Sequence, residues 1–121
     1  MGAASYRDLT VWQKAMDLSV QVYRLSASFP KDERFRLTAQ VTRSVTSVPA
    51  NIAEGNARGT RKDYAHFISV ARGSLAETET LILLAVRLGY VDESRAAPVL
   101  ALATEVGKML NSLRTRLADA G

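Results

Sequence analysis

The sequence predicts an all-α fold, an antiparallel up-down-up-down four-helix bundle. Apolar residues recur at alternating spacings of three and four over four long stretches, the period of a helix that buries one stripe. Only three prolines and seven glycines occur in the 121 residues, and they fall mostly between those stretches, where helices stop. The connections left over are short, so sequential helices must pack side by side in opposite directions, crossing at about 20°.

The first helix is expected over residues 8–28, with Asp8 as N-cap and Pro30 as the stop. Its seam is Val11, Ala15, Leu18, Val22, Leu25 and Phe29. A second row, Trp12, Met16, Val20 and Tyr23, lies about 100° away around the axis. One bundle helix needs one buried stripe, so the second row points to a contact between subunits.

The second helix is expected over residues 32–55, opened by Asp32 and Glu33 and closed by Gly55. Leu37, Val41, Val45, Val48 and Ile52 form its seam, and Pro49 within it predicts a kink. After a turn through Gly59, Thr60 caps a third helix over residues 60–88, with Asp63 at its N3 position and Gly89 as terminator. Tyr64, Ile68, Ala71, Leu75, Thr78, Ile82 and Ala85 carry its seam, and at about 1.5 Å per residue it is about 40 Å long. The fourth helix, residues 93–118, carries Val99, Ala103, Val106, Leu110, Leu113 and Leu117; Pro98 fits if this helix effectively begins nearby.

Composition narrows the function classes. A chain of 121 residues at 47% hydrophobic composition suits a single domain, residues 1–121. With no cysteine, disulfides, thiolate metal sites and cysteine nucleophiles are excluded. Residues 1–6 do not read as a signal peptide, and the longest apolar run, Leu81 to Val86, is far below the roughly 20 residues that span a bilayer. A cytoplasmic protein without membrane partners is expected. Sixteen Lys and Arg against twelve Asp and Glu give +4 and tilt the surface toward anionic partners.

Four segments in order, YRDLTVWQKA (6–15), FPKDE (29–33), NIAEG (51–55) and ARGSLAE (71–77), resemble the bacterial four-helix-bundle family of 23S rRNA intervening-sequence proteins. The resemblance runs from Tyr6 to about Leu117. It implies a small bacterial cytosolic protein, usually without an assigned activity, that assembles as a ring-like homopentamer. The accessory variability protein of diversity-generating retroelements is related, and looks like a basic pentameric barrel that binds nucleic acid and a reverse transcriptase. Membership transfers fold and assembly more readily than it transfers a partner.

No catalytic constellation is read, and no cofactor or metal is expected. His66 is the lone histidine and reads as a solvated surface residue. Glu77 and Glu79 point in different directions on a helix, so they do not form a carboxylate pair. Glu54 and Glu77 read as partners in structural ion pairs, with Arg43 or Arg72, within the bundle or across subunits. The Gly55–Gly59 connection lacks the lysine and preceding strand of a phosphate cradle and reads as a turn.

Electrostatics supplies the functional candidates. Arg58, Arg61 and Lys62 crowd the second turn, and Arg36, Gln40, Arg43, Ser47, Asn51 and Glu54 form an outer polar row on the second helix. Arg36, Arg43, Arg58, Arg61 and Lys62 are the expected contacts to RNA or DNA phosphates. The same row also reads as an ordinary solvated face, because Glu54 and Asp63 dilute it. Assembly shifts that balance, since five chains of +4 carry +20 in one ring. The expected subunit contacts are Trp12, Met16, Val20 and Tyr23 of the first helix and Phe67, Val70 and Leu81 of the third. The leading expectation is a non-enzymatic homo-oligomeric scaffold that binds nucleic-acid backbone. The alternative is a protein-interaction adaptor, with a nucleic-acid-processing protein as partner, using the apolar rows of the first and third helices.

Overall fold

The computed structural model describes residues 5–119. Four helices follow one another: α1 (Thr10–Ser26), α2 (Leu37–Ala57), α3 (Arg61–Arg87) and α4 (Glu93–Asp119). Among the described residues there is no strand.

Contacts along each helix pair show the antiparallel order. Ser44 and Ser47 of α2 meet Thr78 and Ser74 of α3, so residue numbers rise on one helix as they fall on the other. Ser69 of α3 meets Arg114 of α4, while Leu75 lies against Gly107. The circuit closes where α1 meets α4, through Lys14 with Glu105 near one end and Ser28 with Arg95 at the other.

Every seam residue expected on the first two helices is buried, as are Ile68 to Ala85 of the third and Val99 to Leu110 of the fourth. Tyr64, Leu113 and Leu117 are half-buried and pack on the core edge. Burial of this stripe is what holds the helices together, at about 1.5–3 kcal/mol for each large apolar side chain taken from water. Between α2 and α3 the core is partly polar. The Ser44 and Thr78 hydroxyls lie 2.8 Å apart in full burial, and Ser47 and Ser74 are also 2.8 Å apart. Each of these hydroxyls can be satisfied, because one of Ser44 and Thr78 donates its single proton to the other, which donates in turn to its own helix carbonyl, that of Val41 or of Ser74.

The helix ends depart from expectation in four places. Asp8 does not cap α1: residues Tyr6–Asp8 form a 3-10 turn capped by Ser5, Leu9 is extended, and the helix starts at Thr10. The second helix does not start at Asp32, because Lys31–Glu33 is a separate 3-10 turn and Arg36, at φ −119° and ψ −105°, breaks the path before Leu37. Glu33 still serves α2 from outside, its carboxylate accepting from the Leu37 N–H at 3.2 Å. Gly55 does not end α2 but lies buried within it; the chain turns at Gly59, where φ is +90°. Pro98 stands inside α4, not at its start, and offers no N–H to the carbonyl four residues earlier. Helix α2 itself continues through Pro49.

Two ends follow the sequence reading. Thr60 Oγ1 accepts from the Asp63 N–H at 3.1 Å, and Gly89, at φ +77°, closes α3. There the Gly89 N–H reaches the Val86 carbonyl and the Tyr90 N–H the Ala85 carbonyl, a Schellman pair that satisfies two of the last carbonyls.

Candidate nucleic-acid interface

The five expected phosphate contacts do not form one patch on a single chain. Arg36 immediately precedes α2 and Arg58 immediately follows it, which separates them by about 33 Å at about 1.5 Å per residue. Arg43 is exposed between them, while Arg61 and Lys62 are exposed on the first turn of α3, beside Arg58.

Two of these arginines have partners within the chain. Arg58 bonds Glu54 at 2.7 Å, with both side chains about half exposed, and its guanidinium sits 4.8 Å from the Phe67 ring centroid. Arg61 reaches across to the end of α4, donating to the Arg116 carbonyl at 3.1 Å and to the Leu117 carbonyl at 3.5 Å. That contact places a cation where the helix dipole leaves unpaired carbonyls.

The outer polar row is shorter than expected. Ser47 and Asn51 are half-buried and turned toward α3: Asn51 donates to the Ser47 carbonyl and hydroxyl, and Ser47 meets Ser74. Arg36, Gln40, Arg43 and Glu54 remain exposed.

The expected ion pairs resolve differently. Glu54 pairs with Arg58, four residues on, and not with Arg43. Glu77 and Arg72 form no ion pair among the described residues. Both are exposed on α3, and five residues on a helix place them about 140° apart around the axis. The remaining pair is Lys14 with Glu105, which joins α1 to α4 at 2.8 Å.

The second apolar row of the first helix lies outside the core of the bundle. Met16, Val20 and Tyr23 are exposed and Trp12 is half-buried, its ring 5.4 Å from Tyr6 in an edge-on contact. Together with Thr46, Pro49, Ala50 and Ala53 of α2 they line a largely apolar groove of about 680 Å³. Pro49 is buried in its wall.

The expected row on α3 is corrected. Val70 is exposed, Phe67 is half-buried under Arg58, and Leu81 is buried in the core. The outward apolar residues are instead Leu83, Leu84 and Leu88. The apolar run from Leu81 to Val86 wraps the helix, so some of its members must face out whichever stripe is buried.

Two further features carry charge or exposure that the sequence reading missed. Phe35, in the turn before α2, is 84% exposed, and the Arg34 guanidinium lies 5.2 Å from its ring centroid. The turn is anchored by Glu33, which accepts from the Tyr90 hydroxyl at 2.7 Å as well as from Leu37. The bond to Glu33 holds the proton on the Tyr90 phenol and raises its pKa. The second feature is Glu79, half-buried on α3, whose carboxyl pKa is raised by burial.

His66 is exposed and stands edge-on to Phe67. Among the described residues no three His, Asp or Glu side chains converge as metal ligands, and no helix is long and apolar enough to cross a membrane.

Residues 7–112 match the family described as 23S rRNA-intervening sequence protein. A crystal structure at 1.70 Å resolution, of a protein of unknown function from the S23 ribosomal protein family of Bacteroides thetaiotaomicron, has the same fold. It is 26% identical, superposes with a TM-score of 0.81, and the alignment covers 87% of this chain and 98% of that one. No curated protein matches the chain.

Proposed function

The chain belongs to the 23S rRNA-intervening sequence protein family, and from that premise we propose that it is a non-enzymatic, cytoplasmic, homo-oligomeric scaffold that binds RNA or DNA backbone. The observation that carries the binding half is the state of its cations. Among the described residues only Lys14 and Arg58 stand in ion pairs, so most of the basic surplus faces solvent without a fixed counter-charge. All five residues of the expected set are exposed, but Arg58 and Arg61 are committed to Glu54 and to the end of α4, which leaves Arg36, Arg43 and Lys62 as the members without an acceptor among the described residues.

Assembly supplies the multivalency that a line of separated cations lacks. The exposed apolar side chains along the groove between α1 and α2 support a neighbouring subunit seated there, and a ring, pentameric by family likeness, repeats the same cations around one axis. Counter-ion release from the phosphates then makes affinity fall steeply with salt.

The test is a mobility-shift series on RNA and DNA from low to high salt, with Arg43→Ala and Lys62→Ala beside the native protein. Each substitution is expected to weaken binding at every sequence and to lower the salt slope by about one. Absence of binding at low salt, or binding indifferent to both substitutions, refutes the proposal. The same groove also supports the adaptor reading, in which a nucleic-acid-processing protein occupies it. Recovery of such a protein by nuclease-treated native chain, but not by a groove variant, favours that reading.

A further inference from the structure

We propose that Phe35, framed by Arg34 and Arg36, is a stacking platform for an unpaired base, so that the protein prefers single-stranded nucleic acid to duplex. The inference rests on the nucleic-acid reading above and adds to it a residue and a class of ligand.

Phe35 is the most exposed large apolar side chain of the described residues, at 84%. An exposed aromatic ring at a protein contact normally sits among other apolar groups. Phe35 has an arginine on each side in the chain, with Lys31 four residues back, and Arg34 lies against its ring at 5.2 Å. An aromatic face beside guanidinium groups is the chemistry that accepts a base on the ring and its phosphates on the cations. The contrast with the α1–α2 groove is direct, since there the aromatics cluster with Met16, Val20 and Pro49.

The platform is also held in place. Glu33, two residues earlier, is fixed by the Tyr90 hydroxyl and the Leu37 N–H, and the Arg36 N–H bonds the Glu33 carbonyl at 2.9 Å. A ring presented on a fixed turn loses little conformational entropy when a base covers it. Duplex bases are already stacked on both faces and cannot use it, which is the source of the preference.

The experiment compares labelled oligo(dT) and oligo(rU) with a duplex of equal length, by fluorescence anisotropy at low salt, for native protein, Phe35→Ala and Phe35→Trp. Phe35→Ala is expected to lose about 5- to 150-fold on the single strands, the range of one base–aromatic stack, with duplex affinity unchanged. Phe35→Trp should retain single-strand affinity and show added fluorescence quenching on binding. Equal affinity of native protein and Phe35→Ala for single strands overturns this inference while leaving backbone binding intact. A fall in native mass for Phe35→Ala also overturns it, by making the ring a subunit contact. Failure of native protein to bind any of the three probes refutes the parent reading as well.

Discussion

Replacing Gly55 with alanine should destabilise the bundle, while the same replacement at Gly73 should stabilise it. Both glycines are helical, and alanine is favoured over glycine in a helix interior by about 0.8–1 kcal/mol. At Gly73 an added Cβ meets nothing within 4 Å, so that gain is realised. At Gly55 the Cβ would lie 2.8 Å from the Phe67 Cβ, 3.1 Å from Tyr64 Cδ1 and 3.3 Å from the Tyr64 carbonyl oxygen. Two of those atoms are tied to the α3 backbone, and relieving them means moving one helix off the other. Overpacking of this kind costs about 1–3 kcal/mol. The unfolded-chain effect of Gly→Ala is common to both variants and cancels, leaving a gap of about 1–3 kcal/mol between them. Gly107 supplies an intermediate case, because its Cβ would touch only the flexible end of Leu75, at 3.3 Å. Urea unfolding at one fixed protein concentration measures all three, since assembly would otherwise make stability depend on concentration. Equal stabilisation at Gly55 and Gly73 would refute the close approach of α2 to α3 as the reason for Gly55.

Val20→Asp, placed in the α1–α2 groove at a side chain already 47% exposed, should leave helicity intact by circular dichroism and lower the native mass by light scattering; an unchanged mass removes the groove from the subunit contact. Glu79→Gln should raise thermal stability at neutral pH. The Glu79 pKa is raised in the fold by burial, so the native state binds its proton more tightly than the unfolded chain does. Stability from this group is therefore lost as pH rises through the carboxylate range and complete below it. The advantage of the glutamine variant should vanish in acid, and a pH-independent difference contradicts the assignment. Thr78→Val should cost about 0.5–1.5 kcal/mol by removing the hydroxyl that Ser44 meets in the core, the Ser44 hydroxyl keeping the Val41 carbonyl, and combining it with Ser44→Ala should cost less than the sum of the two.

What the sequence made legible was periodic. The core seams were readable because each apolar residue repeats its neighbour's environment one turn away, and the Thr60 and Gly89 ends because cap chemistry is local. The boundaries at Thr10 and Leu37 were not, since each depends on a 3-10 turn whose short bonds leave no hydrophobic pattern. Gly55 misled for a related reason: glycine marks a helix end by its backbone freedom, but also marks a close helix approach, and only the partner helix distinguishes the two. Leu81 and Ser47 were misplaced because both stand at the margin of a buried stripe, where a rotation of some 20° changes the side they face. The commitments of Arg58 and Arg61 were invisible for another reason. Arg61 finds its carbonyl acceptors more than fifty residues later, beyond any local pattern.

The hydroxyl pairs between α2 and α3 have a consequence for length along the bundle. A valine and isoleucine seam repeats every turn, so one helix can slide past the other by about 5.4 Å and still find apolar neighbours. Ser44 with Thr78 and Ser47 with Ser74 cannot. A one-turn displacement would bring Ser47 to Thr78, or Ser44 to Ser74, keeping one hydroxyl pair but leaving the other two hydroxyls against aliphatic groups, and would take Gly55 from its place beside Phe67. They act as a vernier, selecting one setting from a series the greasy contacts treat as equivalent. The setting determines how far Lys62, carried on α3, stands from Arg43, carried on α2. On the proposed function, in which that surface meets a polymer of fixed phosphate repeat, three serines and a threonine between the helices set its ruler.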